Sequence, residues 1–194
     1  MNFIKQYLLE TKDIIDALDL KEISKIIKHI NFVQNKKGRI FFIGVGGSAA
    51  NSSHAVNDFR KLAGIECYTP VDNMSELSAR TNDEGWHTVF KSWLVVSRLC
   101  SNDMIFVFSV GGGDEKKNIS KNIIEALKFA KQKKVKICGI VGKNGGYTYK
   151  VANACLRIPV NNLKNLTPHS EAFQAIIWHL LVSHPNIKKY KTKW

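Results

Sequence analysis

Residues 1–37 place apolar side chains at helical intervals. Ile4, Leu8, Ile14, Ile15 and Leu18 form one series, and after the polar break at 19–22 (DLKE) Ile23, Ile26, Ile27, Ile30 and Val33 form a second. Apolar positions three and four apart predict two amphipathic helices and no strand. From residue 38 the pattern changes to short, continuous apolar runs rich in β-branched and aromatic residues: RIFFIG (39–44), IECYTP (65–70), MIFVFS (104–109), VKICGIVG (135–142) and ACLRIPV (154–160). Runs this short, bounded by Gly, Pro or Ser, predict buried strands. Helical stretches lie between most of them, at 48–62, 86–99 and 120–133, and a last one at 171–182 closes the chain.

Strands that alternate with helices predict an α/β fold, a parallel sheet flanked by helices on both faces, with ligands at the carboxyl ends of the strands. The loops to watch therefore begin at Gly44, Thr69, Ser109 and Gly142. The 194 residues predict one domain: N-terminal helices to residue 37, which either cover their own sheet or pack on another subunit, a core over 38–184, and a basic tail over 185–194.

Composition adds little except charge. With 44% hydrophobic and 23% charged residues, no apolar run long enough to cross a bilayer and no signal-peptide pattern at the start, the sequence predicts a soluble cytoplasmic protein without a membrane partner. Cys67, Cys100, Cys138 and Cys155 show no CxxC spacing, and core thiols are expected. The net charge of +13 raises nucleic acid as a partner, but the lysines are dispersed and no aromatic-basic motif accompanies them. No nucleic-acid partner is expected; a positive field still gathers a small anionic substrate.

Two loops carry candidate chemistry. GVGGSAANS (44–52) and SVGGGDEKKNIS (109–120) each combine bare backbone with hydroxyls before a helix, the second with Ser120 in position to cap it. Unpaired N–H groups at a helix N-terminus suit a phosphate, although glycine turns also serve to pack a helix close to a sheet. Neither loop reads GxxxxGK[ST] or GxGxxG, so a sugar phosphate fits better than a nucleotide. His54 and Asp58, four apart, project from one helix face about 6 Å from each other. Such a pair binds a divalent metal, shuttles a proton, or is a plain surface pair. His179, between Trp178 and Leu180, reads by itself as a histidine satisfied by a backbone carbonyl.

Taken together, GGS at 46–48 with His54 six residues on, TNDEGWHTVF (81–90), VGKNGGYTYKVAN (141–153) and the Glu171 to His179 interval resemble the SIS (sugar isomerase) fold, and within it the phosphoheptose isomerases. The resemblance covers nearly the whole chain. It implies a three-layer sandwich with a five-stranded parallel sheet, and a homotetramer with active sites at subunit interfaces. It also implies one zinc ion per site and conversion of sedoheptulose 7-phosphate to D-glycero-D-manno-heptose 7-phosphate through an enediol, feeding lipopolysaccharide or capsule heptose.

Carried over by position, the resemblance places substrate contacts at Gly46, Gly47, Ser48, Asn82, Asp83, Ser109, Gly111, Ser120 and Glu171. It places metal ligands at His54, Asp58, Glu171 and His179, with Asp58 and His179 as the acid–base pair. The chain departs from the family at Val45 (usually Asn), Asp58 (usually Glu), Glu171 (usually Gln), the hydroxyl-poor SVGGG and the added DEKKNI. Residues eight apart on a straight helix differ by about 12 Å in rise, too far to share one ion. Either Glu171 precedes the regular helix, as Pro168 would allow, or two subunits contribute to one site. The alternative within the fold is a non-catalytic module that senses sugar phosphates or associates with a replication initiator. A lyase acting on a phosphorylated amino sugar is disfavoured, because AANSSHAVNDF lacks that family's glutamate pattern.

Overall fold

The computed structural model describes residues 2–142 and 144–192; residue 143 of the 141–153 motif and residues 193–194 of the basic tail lie outside the described residues. Five strands, β1 (Arg39–Ile43), β2 (Glu66–Tyr68), β3 (Met104–Ser109), β4 (Lys136–Val141) and β5 (Ala154–Arg157), form one all-parallel sheet in the order β2-β1-β3-β4-β5. The chain steps from β1 outward to β2 and then crosses back past β1 to β3 on its other side, so the switch point where parallel sheets open a crevice lies between β1 and β3.

The expected alternation of faces appears within β1. Ile40 and Phe42 join a core with Phe106, Phe108, Ile140 and Leu156, covered by α2 (Leu20–Asn35), α3 (Gly47–Asp58) and α8 (Leu166–Ser183). Phe41 and Ile43 join the opposite core with Ile105, Val107 and Ile137, covered by α5 (Val89–Val96) and α6 (Lys121–Gln132). β3 is buried at all six positions, as a central parallel strand should be.

The N-terminal pair divides in two. α2 buries Ile23, Ile26, Ile27, Ile30 and Val33 on its own sheet. In α1 (Phe3–Asp16) the only buried residue is Ile14, and Phe3, Ile4, Leu8 and Ile15 face outward. A polar clamp holds α1 instead. The Glu10 carboxylate accepts from Asn162 and Asn165 side-chain amides, each at 2.8 Å, and faces His169 Nε2 at 3.0 Å, while Tyr7 stacks on the His169 ring. The Asn165 amide first, then Asn162 and His169, lower the Glu10 carboxyl to about 2. A depressed pKa keeps the clamp charged at ordinary pH, and its stabilisation is lost only as pH falls below the usual carboxylate range towards 2.

Two helices differ from expectation. α4 (Met74–Glu84) was not predicted: it has no buried residue, and an element without an apolar stripe leaves no periodicity to read. Its signal is the cap, where the Asn73 side chain accepts from Glu76 N. α7 (Gly146–Val151) is a short helix inside the 141–153 motif. α8 begins at Leu166, so Glu171 lies within the regular helix, which removes the first of the two arrangements offered for it. Pro168 sits in the first turn of α8, where no intrahelical N–H bond is lost.

Three of the four cysteines are buried and Cys100 is exposed; burial raises the Cys155 thiol to about 12. No described helix is long and apolar enough to cross a membrane.

Candidate active site

The loop after β1 is open at Gly46 and packed at Gly44, where a Cβ would overlap the Ser48 carbonyl. Gly46 precedes α3 with φ +64, a conformation that suits glycine, and nothing lies within 4 Å of where its Cβ would be. Ser48, in the first turn of α3, is 1% exposed and its Oγ has no hydrogen-bond partner. The Glu171 carboxylate lies against Gly47 so closely that a Cβ there would overlap its oxygens. Asn51 ties the two helices together, its Nδ2 donating at 3.0 Å to both the Glu171 carbonyl and Gln174 Oε1.

The loop after β3 is closed. The carbonyl of Gly112 accepts from Thr148 N at 2.9 Å and Thr148 Oγ1 at 2.8 Å, and that of Gly113 from Tyr147 N at 2.8 Å, so this loop caps α7. Ser109 Oγ accepts from Gly112 N at 3.0 Å. A Cβ on Gly112 would overlap the Gly145 carbonyl, and one on Gly146 would overlap the carbonyls of Gly111 and Gly113. The glycines here serve close packing, the second of the two readings that spacing left open. Gly111 alone stays unobstructed. Ser120 does not cap α6 with its side chain, contrary to expectation: its backbone is left-handed at φ 52, which turns Oγ from the helix N–H groups, and only its carbonyl bonds to Ile123 N and Ile124 N.

Along α3 and α8 the structure brings His54, Asp58 and His179 together, each offering one ligand atom within 4.8 Å of the others. His54 and His179 are exposed and Asp58 is half-buried, so the group opens on the surface. His179 Nδ1 lies 2.7 Å from the Ala175 carbonyl. A carbonyl only accepts, so Nδ1 carries the proton and, in the neutral ring, the Nε2 lone pair is free. That nitrogen faces Asp58 Oδ2 at 4.0 Å. The backbone-satisfied histidine expected from its apolar neighbours is thus also a histidine with its reactive nitrogen aimed at a carboxylate. Trp178, fully buried, sets its ring edge-on to His54 at 4.7 Å.

Two imidazoles and one carboxylate are a donor set suited to zinc, and a carbonyl that fixes a ligand's tautomer is the usual outer partner of such a site. Glu171 is outside this group, beside Gly47 at the other end of the shared seam. Asn82 and Asp83 lie exposed at the end of α4, bonded to each other at 2.8 Å. Gln174 Nε2 and Trp178 Nε1, both buried and without partners on the face of α8 turned to α3, are polar groups that sequence reasoning missed. The signal was available as an i, i+4 pair of polar-tipped residues on an apolar face.

No family model matches the sequence. The chain is 28% identical over 149 residues to the phosphoheptose isomerase of Rhodospirillum rubrum, covering 74% of this chain and 73% of the relative. It is 29% identical over 191 residues to phosphoheptose isomerase 1 of Campylobacter jejuni, covering 93% and 95%. The solved phosphoheptose isomerase of Neisseria gonorrhoeae superposes with a TM-score of 0.79 at 19% identity, over 92% of this chain and 93% of that one, and shows that the fold is shared.

Proposed function

We propose that this chain, a SIS-domain member of the phosphoheptose isomerase family, interconverts sedoheptulose 7-phosphate and D-glycero-D-manno-heptose 7-phosphate in the cytoplasm, supplying heptose for surface polysaccharide. The observation that carries the reading is the convergence of His54, Asp58 and His179 on the exposed seam of α3 and α8. A sugar-phosphate sensor or a protein-docking module has no use for such a cluster.

Aldose–ketose isomerisation takes a proton from one of C1 and C2 and returns one to the other. In this reading His179 Nε2 and Asp58 form the acid–base pair. Because Nδ1–H is held by Ala175, proton exchange at His179 is confined to Nε2, the nitrogen that faces Asp58. His54, buttressed by Trp178, orients the same group. His54, Asp58 and His179 would hold a zinc ion, which when bound acts as a Lewis acid on the substrate oxygens. Glu171 would join such a centre only from a second subunit, since it lies about 12 Å along α8 from His179.

Substrate contacts are assigned to Gly46, Gly47, Ser48 and Glu171 on one side of the switch point and to Ser109, Gly111 and Ser120 on the other, with Asn82 and Asp83 from α4. The outward apolar row of α1 supports assembly into a homotetramer, since such a row gains by being covered.

The test follows sedoheptulose 7-phosphate by NMR with the wild-type protein and His179→Ala, with zinc and with chelator. Zinc-dependent conversion that falls at least about a thousandfold in the variant supports the reading. Binding of the sugar phosphate without conversion under any metal condition returns the protein to the sensor class.

A further inference from the structure

The helix that carries His54 and Asp58 does not stop at Asp58. Phe59–Ala63 continue it as a π turn, in which the Gly64 N–H bonds back to the Phe59 carbonyl five residues away, and Gly64 at φ +63 closes the turn. A π turn is a rare, wide insertion in a helix and recurs beside functional groups. Its last carbonyls lack intrahelical partners and need donors from elsewhere. Two remote segments supply them. The Leu62 carbonyl accepts from Lys189 N at 2.9 Å and Tyr190 N at 3.0 Å. The Ala63 carbonyl accepts from Gln34 Nε2 at 2.8 Å, and the same amide nitrogen donates at 3.0 Å to the Ile187 carbonyl. Both amide hydrogens of Gln34 are thus used, and one side chain of α2 ties the π turn to the segment that follows α8.

That segment is fastened at both ends. Ile187 N and Lys188 N both donate to the His184 carbonyl where α8 ends, Ile187 is fully buried, and the Tyr190 ring lies against Gly64. Residues 187–190 therefore form a strap from the end of α8 to the end of the π turn. The acid–base pair sits just inside these fastenings: Asp58 is four residues before Leu62, and His179 is four residues before Ser183, the last residue of α8. Asp58 Oδ1 already accepts from Asn57 Nδ2 at 2.8 Å, so Oδ2 is the oxygen left for His179 Nε2, 4.0 Å away. An aspartate has a single methylene between main chain and carboxylate, so the main chain decides where that oxygen stands. A change of helical register by one residue turns a side chain by about 100°. Relaxation of the π turn would be felt first at Asp58, the residue at its junction with α3.

Resting on the isomerase reading for the roles of Asp58 and His179, we propose that Gln34 and the strap 187–190 are positioning residues for that pair. They hold the π turn by its free carbonyls, and the turn holds Asp58 in register with His179. Neither Gln34 nor the strap touches the reacting groups. Phe59, Leu62 and Ala63 are buried and keep the segment on the core without the strap, so its loss is read at Asp58 before it is read in unfolding.

The experiment compares the full chain with Gln34→Met, which keeps length and helix propensity but has no donor, and Lys189→Pro, which removes one strap N–H. Lys189→Ala keeps that N–H and is the control. All are measured at one pH and at a temperature where circular dichroism shows each folded. Amide and imidazole NMR in chelator reads the geometry directly: shifts are expected at Asp58 N and His179 Nε2 in Gln34→Met, smaller ones in Lys189→Pro, and none in Lys189→Ala. With sedoheptulose 7-phosphate, kcat should fall at least about tenfold in Gln34→Met and about threefold in Lys189→Pro, with KM within about twofold. Added to Asp58→Ala, Gln34→Met should lower kcat by less than about twofold further, because no carboxylate is left to misplace. Shifts confined to residues 60–65 and 187–190, or an equal loss of kcat with and without Asp58, would overturn the proposal. If Gln34→Met does not fold, Lys189→Pro against Lys189→Ala decides on the same readouts. Failure of wild type to convert the sugar phosphate would sink the isomerase reading alone, because the Asp58 and His179 resonances decide the positioning independently.

Discussion

The loops after β1 and after β3 lie on adjacent strands at the switch point and share a composition of glycine and serine, yet their backbones do opposite work. In the first, Gly46 is unobstructed and the Ser48 hydroxyl is buried without a partner. In the second, the carbonyls of Gly112 and Gly113 are used to cap α7, and the Ser109 hydroxyl accepts from Gly112 N. One loop leaves a glycine and a hydroxyl unpartnered, and the other is a joint. A glycine-rich turn therefore reports only that backbone must come close to something. What it approaches is set by elements far away in sequence, here Thr148 for one loop and Glu171 for the other.

The sharpest way to break this contrast is a methyl group at a glycine in each loop. Gly112→Ala combines φ +69 with overlap of the Gly145 carbonyl, a backbone atom that has no room to yield. It should cost at least about 3 kcal/mol in denaturant unfolding, in the range reserved for core disruption. Gly46→Ala meets nothing within 4 Å and pays only for a backbone at φ +64, ψ −129 that residues with a side chain rarely adopt, about 1–3 kcal/mol. Equal costs would mean that the second loop is no more tightly packed than the first. A smaller effect separates the serines. Ser109→Ala strands the Gly112 N–H in a buried turn, where Ser109 itself is 6% exposed, and should cost about 1–3 kcal/mol. Urea unfolding midpoints measure it; a change below about 0.5 kcal/mol would show that the hydroxyl is replaceable by water.

How far the sequence could be read follows from the same contrast. Five apolar runs were enough to predict the parallel sheet, because a strand such as β3, buried on both faces, announces itself by continuous hydrophobicity. His54 and Asp58 were legible as a pair because helical spacing fixes them on one face. His179 needed the packing of α8 on α3 to bring it within reach. The role of the second loop was not legible, since the bonds from residues 147 and 148 to residues 112 and 113 join segments that no local pattern connects. α4 was missed because its residues are held by a cap and by Arg80 pairing with Glu76 and Glu84, not by burial.

The smallest expected effect on stability is also the most informative. Ser48 is as buried as a core residue, and a buried hydroxyl without a partner is a net cost to the folded state. Ser48→Ala should therefore leave the free protein unchanged or up to about 1 kcal/mol more stable, whereas the corresponding change at Ser109 destabilises. If the hydroxyl is kept for a ligand, the same variant must bind that ligand less well, so KM for the sugar phosphate rises while the unfolding midpoint does not fall. That opposition of signs separates a binding residue from a structural one. Should Ser48→Ala destabilise by as much as Ser109→Ala, the hydroxyl has a structural partner after all, and the first loop is a second joint.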